Sequence, residues 1–562
     1  MTEGTETGML SRATFGEAQL LRSRTGLITA FVAIMLFKLW LVHGEEICGS
    51  ATRYDALWFV NSAKHWYWGA EYNWVAFVRP AAYPLWIAVV HFFGVRQRIA
   101  IELLQLGSFA VLLFVLRRAG LPRSIVLIAF AAAAFHPGGF QLNNYTMADT
   151  FYTAMLPLVL AGMAWMMMRP TLTSAVATGL ALAVLWNTRE ESVLIIIALA
   201  AFLAIWSLRE WKQQQSWSAA TRRITRPAAL MLGTLAALDL LVCAANHHVF
   251  RSFAKSDMVA PSFEAAFSAL VRIDARTTQR YIPIPAESLR EAYRVSPSFA
   301  LLKGELEGRC GDDWRTETFN RLGVRNEIGV NWLMWALRDA ARRVGMHDDP
   351  RKAKSFYKKV AREINQACDE SKVKTRIVWA SFIGPVLFQN ARSLPSAFAR
   401  IMHLFVGEYE MARARDAAIL LPEERALYDD MASRSPSSES ISDPGDPART
   451  VENWIGRYHR FFVFLLGGTG VVAAIALFAK RNRLSVTDPL GAVLALVAVA
   501  IVSRILLFTV LTATSWPCDY DRFLYPVMPL SSIFLIALVY EAVAVLRRAD
   551  RPAIAPEAPN AP

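Results

Sequence analysis

The chain has 562 residues, of which 54% are hydrophobic and 19% charged, with a formal net charge of +13 at pH 7. Apolar residues come in long runs, which excludes an ordinary soluble enzyme and points to an all-α polytopic membrane protein. The lysines and arginines cluster in short connections between those runs, with no Gly-rich phosphate loop, zinc-ligand spacing or RNA-binding signature, so the charge reads as topology rather than nucleic-acid binding.

Residues 1–25 are polar and basic and are expected to be a cytoplasmic tail. A first span is predicted at about 26–42. The stretch from Arg53 to Trp86 follows, carrying eleven aromatic residues among its 34. Rings with an apolar body and a polar edge collect at the membrane–water boundary, so this is read as a surface-lying external loop, 43–98. Within it 81–93 is apolar but short of the roughly 17–25 residues a crossing needs, and is expected to lie at the interface. Further spans are predicted at about 99–116, 124–136, 149–168, 172–186, 192–208 and 227–246. The basic segment REWKQQQSWSAATRRITRP between the last two reads as a cytoplasmic loop. These spans complete an N-terminal membrane module, 26–246.

Residues 247–457 are different material. Patterns such as NWLMWALRDAARRV and KAKSFYKKVAREINQAC predict amphipathic helices of a mainly helical extracytoplasmic domain. IVWASFIGPVLF, broken at Gly384–Pro385, and AFARIMHLFVG are read as interfacial or core helices. SRSPSSESISDPGDP has loop composition. Spans at about 461–479, 490–511 and 523–546 form a C-terminal membrane unit, 458–546, before a cytoplasmic tail, 547–562. The total is about ten spans with both ends cytoplasmic. The five cysteines show no CxxC pair. Cys310 and Cys368 are open to a disulfide, and isolated buried thiols are the preferred reading.

This topology puts Asp55, Asp149, the run Arg189–Glu190–Glu191 and Arg522, with Asp519 and Asp521, on one external face. Ionisable groups at membrane edges are costly and mark function. Asp55 lies in aromatic surroundings where desolvation is expected to raise its proton affinity, which suits a general base. Asp149 reads equally as a site carboxylate or a helix cap. Arg79, Arg189 and Arg522 are the external arginines suited to phosphate, with Lys64 and His65 as point-charge alternatives. A local Asp–Arg pair is the competing reading of Arg522.

RYDALWFVNSAKHWYWG followed by VRPAAYPLW resembles the first external loop of the GT-C membrane glycosyltransferases, in the branch of protein O-mannosyltransferases and lipid A aminoarabinose transferases. NNYTMADTFYTAMLPL, NTREESVLIIIALA and YDRFLYPVMPL are similar to that family's later landmarks in the same order. The resemblance implies inverting transfer from a polyprenyl-phosphate sugar to a glycan, lipid or protein acceptor, at the extracytoplasmic face of the plasma membrane. By position it implies Asp55 as base and Asp149 as the second acid, with Arg79, Arg189 and Arg522 on the leaving phosphate. Tyr54, Glu190, Glu191 and Tyr525 are expected at the acceptor or just behind these groups. Ala56 stands where the family has a second acid, which argues against a divalent metal held by an acidic pair, and no cofactor is firmly implied. Arg79–Pro80 precedes two alanines rather than a second proline. Two competing readings are a transporter or flippase of a lipid-linked substrate with an external gating domain, and a membrane-anchored envelope scaffold. The transporter reading lacks the expected internal repeat; mid-span charges are few beyond Lys38, Glu102, Asp239 and Arg504.

Overall fold

A computed structural model describes residues 23–45, 47, 53–73, 76–275, 279–282, 284–377, 391–407, 422–432, 447–479, 488–518 and 521–549. Among them the chain is helical, with no β-strand. Eight helices are long and apolar enough to cross a membrane, or nine if one bent pair counts as a span. The protein is thus a multi-pass membrane protein.

The first part of the chain forms α1 (Arg24–Val42), α2 (Arg53–Lys64), α3 (Ala82–Phe92), α4 (Gln97–Ala119) and α5 (Arg123–Ala134), then the short α6 (Pro137–Gln141). It continues through α7 (Ala148–Met168), α8 (Leu172–Trp186), α9 (Ser192–Gln214) and α10 (Trp217–Phe250). Each predicted span is helical, with two departures. The 124–136 span is α5, bent by 42° into the segment from Pro137 to Asn144. The 172–186 span is only fifteen residues, about 22 Å against a hydrocarbon core of about 30 Å. It packs between α7 and α10. The 81–93 segment is an eleven-residue helix, too short to cross.

Small residues permit these helices to approach without a hydrophobic driving force from lipid. A Cβ on Gly162 would lie 2.5 Å from Thr178 Oγ1 across the α7–α8 contact. One on Gly179 would lie 2.6 Å from the Met231 carbonyl across α8–α10. The expected basic loop is almost entirely helix. Only Gln215 and Ser216 separate α9 from α10, with Gln215 left-handed at φ 50° and Ser216 accepting a hydrogen bond from the Ala219 N–H. Lys212, Arg222, Arg223 and Arg226 lie on solvated helix faces while Arg209 and Glu210 are buried, a pattern composition alone reads as loop.

Within 247–457, seven helices run from α11 (Pro261–Arg272) through α12 (Ala286–Val295), α13 (Pro297–Ala300), α14 (Lys303–Glu307), α15 (Arg309–Leu322) and α16 (Val330–Arg343) to α17 (Pro350–Asp369). They share a core of their own around Phe263, Leu270, Phe299, Leu337 and Ile364, which also takes in Val78 from the aromatic loop. Later segments return to the membrane helices. α18 (Leu394–Val406) packs on α21 (Pro489–Thr514), and α19 (Pro422–Ala432) packs on α2 and α3. α20 (Pro447–Ala479) starts earlier than the predicted 461 and packs on α22 (Met528–Ala549). Most of IVWASFIGPVLF, all of 433–446 and both predicted tails except their helical edges lie outside the described residues. Cys310 and Cys368 are both free and buried, the Cys310 thiol donating to Asp339, so they are isolated thiols.

Candidate active site

The aromatic loop builds one side of the site. α2 begins at Arg53 and carries Asp55 in its first turn, where a carboxylate is favoured by the helix dipole. After α2 the chain reverses through Trp66 and Tyr67, both left-handed at φ 48° and 67°. Such positions cost non-glycine residues of order 1–3 kcal/mol and persist only where surroundings hold them. The Tyr67 hydroxyl donates to the Arg79 carbonyl at 2.6 Å. The Tyr67 and Phe77 rings both pack on Phe250, the last residue of α10. The strained turn is thereby fastened to the bundle and fixes the backbone of residue 79.

Arg79 Nη2 donates to Asp55 Oδ1 at 2.8 Å, and Arg522 Nη1 stands 3.8 Å from Asp55 Oδ2. Arg79 Nη1 is 3.6 Å from Glu190. Beside this group Arg189 pairs with Asp149 at 2.5 Å and with Glu191 at 2.8 Å. The second oxygen of Glu191 meets Arg504 of α21 at 2.8 Å. The Lys255 ammonium lies over the Trp186 ring and donates to the Arg189 carbonyl at 3.3 Å, pinning the 187–191 turn. Four arginines and four carboxylates therefore alternate across one end of the bundle. Asp55, Arg79, Asp149, Arg189, Glu190 and Arg522 all line a single cavity of about 820 Å³.

Of the predicted residues, these six are brought together. Glu191 sits just behind them, between Arg189 and Arg504. Tyr525 is turned into the bundle, donating to Gln105 and Asn143, and does not line the cavity. Lys64 and His65 are exposed and outside the cavity lining. α2 carries Lys64 nine residues beyond Asp55, about 14 Å along the axis. The Tyr54 side chain and Asp519 lie outside the described residues. Asp149 makes no side-chain cap at the start of α7; its charge goes to Arg189. In the following turn Asn187 closes α8 and the Thr188 hydroxyl donates back to the Val184 carbonyl. The mid-span charges are also paired, Lys38 with Glu102, Asp239 with Asn187 and Arg504 with Glu191.

The expected rise in the proton affinity of Asp55 is reversed. Burial does push its carboxyl upward, but the charges of Arg79 and Arg522 and the Arg79 hydrogen bond outweigh it, holding the group below the ordinary aspartate value. Burial works against charge on Arg79, but Asp55 and Glu190 keep it firmly protonated. Glu191 is likewise held low, because Arg189 and Arg504 overcome its burial. Among the described residues, no group of three or more His, Cys, Asp or Glu side chains is placed to hold a metal.

The helical domain supplies the opposite wall, which the sequence did not reveal. Trp332, Trp335 and Arg342 of α16 and Trp314 of α15 line the same cavity, and the Arg79 guanidinium lies over the Trp335 ring at 5.4 Å. The three- and four-residue spacing of NWLMWALRDAARRV was the available signal.

Comparison with known proteins gives little beyond this geometry. No family model and no curated protein matches the chain. Two solved structures are similar to it, both of ArnT from Cupriavidus metallidurans. The form bound to undecaprenyl phosphate is 14% identical with a TM-score of 0.33, covering 93% of this chain and 79% of that one. The apo form is 14% identical with a TM-score of 0.28, covering 93% and 78%. A likeness at these scores decides neither fold nor activity.

The Arg189–Asp149 pair is largely buried, with Asp149 only 2% exposed. Removing one partner of such a pair typically costs about 3–5 kcal/mol, because the other is left charged and desolvated. Arg189→Gln is therefore expected to lower the thermal unfolding midpoint of the purified protein markedly. Adding Asp149→Asn should restore much of it. An unchanged midpoint in the single variant would show that the pair does not hold the 187–191 turn.

Proposed function

We propose that this chain is an integral membrane glycosyltransferase of the GT-C kind. It moves a sugar from a polyprenyl-phosphate donor to an acceptor at the extracytoplasmic face of the plasma membrane, with inversion at the anomeric carbon. The observation that carries this reading is a carboxylate, Asp55, flanked by two arginines in a cavity at one end of a membrane bundle. A lipid-linked phosphate needs cationic groups at that position, and an acceptor hydroxyl needs a base beside it. The positive-inside count supports the external placement.

In this mechanism the donor phosphate engages Arg79 and Arg522, with Arg189 as a further cation beside them. The acceptor hydroxyl gives its proton to Asp55 as its oxygen bonds to the anomeric carbon. The bond from that carbon to the phosphate oxygen breaks, and polyprenyl phosphate departs with the electron pair. The arginines stabilise the charge that develops on it. In the resting site they instead hold Asp55 as a weak base. Phosphate binding shares their charge, loosens Asp55 and raises its affinity for the proton it must accept. The base is thus strengthened only when the donor is in place.

This gives a pH signature. A carboxyl whose pKa is depressed stays ionised until the pH falls below its ordinary range. The acid limb of kcat/KM, which reports the free enzyme, should therefore lie below the usual aspartate value, provided the lipid phosphate is not itself titrating. The acid limb of kcat, which reports the donor complex, should lie at higher pH. The test is transfer of labelled sugar from polyprenyl-phosphate donors by protein in lipid nanodiscs, followed across pH, with product stereochemistry read by NMR. Coincident limbs, or retention at the anomeric carbon, would contradict the mechanism.

A further inference from the structure

The wall of the cavity formed by α15 and α16 has its own chemistry. Along α16, Trp332, Trp335, Asp339 and Arg342 recur at three- and four-residue spacing, which places them on one face. On α15, Trp314, Glu317 and Arg321 do the same. All seven line the cavity that reaches Asp55. Trp58 of α2 and Trp516 beyond α21 meet this wall from the membrane side, at 4.7 Å from Trp335 and 5.4 Å from Trp332 between ring centres. Trp314, Trp332 and Trp335 are half-buried, so each keeps part of its ring accessible.

The cations on this wall are already matched, and exposed Asp313 adds a further negative charge to it. Arg321 pairs with Glu317 at 3.2 Å and Arg342 with Asp339 at 2.7 Å. Arg343 pairs with Asp339 at 3.3 Å and with Glu305 at 3.8 Å. A phosphorylated acceptor would have to break these pairs to find a cation. A neutral sugar would not. The C–H face of a sugar ring carries slight positive charge and suits the electron-rich face of an indole. Its hydroxyls both donate and accept, so they can bond a carboxylate and a guanidinium without separating them.

We propose that this wall is the acceptor subsite and that its occupant is a neutral glycan, stacked on Trp332 and Trp314 with hydroxyls bonded along Glu317, Asp339 and Arg342. The proposal rests on the transferase reading and names its acceptor class. The cavity runs from this wall to Asp55, so a terminal sugar hydroxyl reaches the base while the preceding rings lie on tryptophan.

The test uses full-length protein in nanodiscs, titrated by calorimetry with short neutral mannan, glucan, galactan and arabinan fragments. A bis-phosphorylated glucosamine lipid and a Ser/Thr-rich peptide serve as competing classes. One neutral fragment should bind, and Trp332→Ala and Trp314→Ala should each weaken it by about tenfold, with Trp332→Phe recovering most of the loss. Affinity for undecaprenyl phosphate should be unchanged in all three. Trp314→Ala keeps the test open should Trp332→Ala fail to fold. Binding of no neutral fragment, preference for the phosphorylated lipid or peptide, or wild-type affinity in both alanine variants would overturn the proposal. Fragment binding without transfer from any polyprenyl-phosphate sugar would instead overturn the transferase reading and leave a glycan-binding wall. Transfer to a non-glycan acceptor would do the reverse.

Discussion

Asp55→Asn is expected to leave the protein folded, membrane-inserted and able to bind polyprenyl phosphate, while lowering sugar transfer by about 10²–10⁴-fold, the usual weight of a general base. The substitution keeps the shape of the side chain and removes only its charge and basicity. Arg79 retains Glu190 at 3.6 Å, so the guanidinium is not stranded. Arg79 and Arg522 lose a competing anion, and affinity for the lipid phosphate should hold or tighten. That divergence separates a base from a scaffold, since a merely structural Asp55 would lower stability, binding and turnover together. Full transfer activity in Asp55→Asn would sink the mechanism.

Arg79→Ala is expected to cost about 10²–10³-fold in kcat/KM, comparable to removing one preorganised donor from a developing oxyanion. Two effects combine in that figure. The leaving phosphate loses a charge-assisted partner, and Asp55 loses the neighbour that positions it at 2.8 Å. Only the positioning effect is shared with Asp55, so the double variant with Asp55→Asn should lose more than Asp55→Asn alone but less than the product of the two single losses. Lysine at position 79 should rescue only partly, because a single ammonium cannot hold Asp55 and a phosphate in the geometry of a guanidinium fork. Multiplicative losses in the double variant would show that the two residues work independently.

Much of the site was legible because membrane proteins advertise costly charges. Asp55 and Arg79 both sit in the aromatic loop, and Asp149, Arg189 and Arg522 each stand beside the end of an apolar run, so hydropathy and loop charge alone aligned them on one face. The fold class followed from the same apolar runs. What sequence misjudged was partnership. Asp55 looked like a desolvated acid because nothing local says that Arg79, 24 positions on, and Arg522, from the far end of the chain, would both turn toward it. Lys64 and His65 looked close in sequence, but a continuous α2 carries them away. Tyr525 stands three positions after Arg522 yet points the other way, into the Gln105–Asn143 pair. The tryptophan wall was hidden for a different reason. An amphipathic pattern shows that α16 has an apolar face and a polar one, not that Trp332 and Trp335 on its flank meet Trp516 and Trp58 from elements far away in the chain.

The most direct test of the central claim is mass spectrometry of envelope lipids and glycans from cells carrying the wild-type protein, no protein, or Asp55→Asn. The account predicts that loss of the protein and loss of the Asp55 charge have the same effect. One polyprenyl-phosphate sugar should accumulate, and one glycosyl residue should disappear from a single envelope acceptor. A wild-type glycan and lipid profile in the Asp55→Asn cells would contradict it.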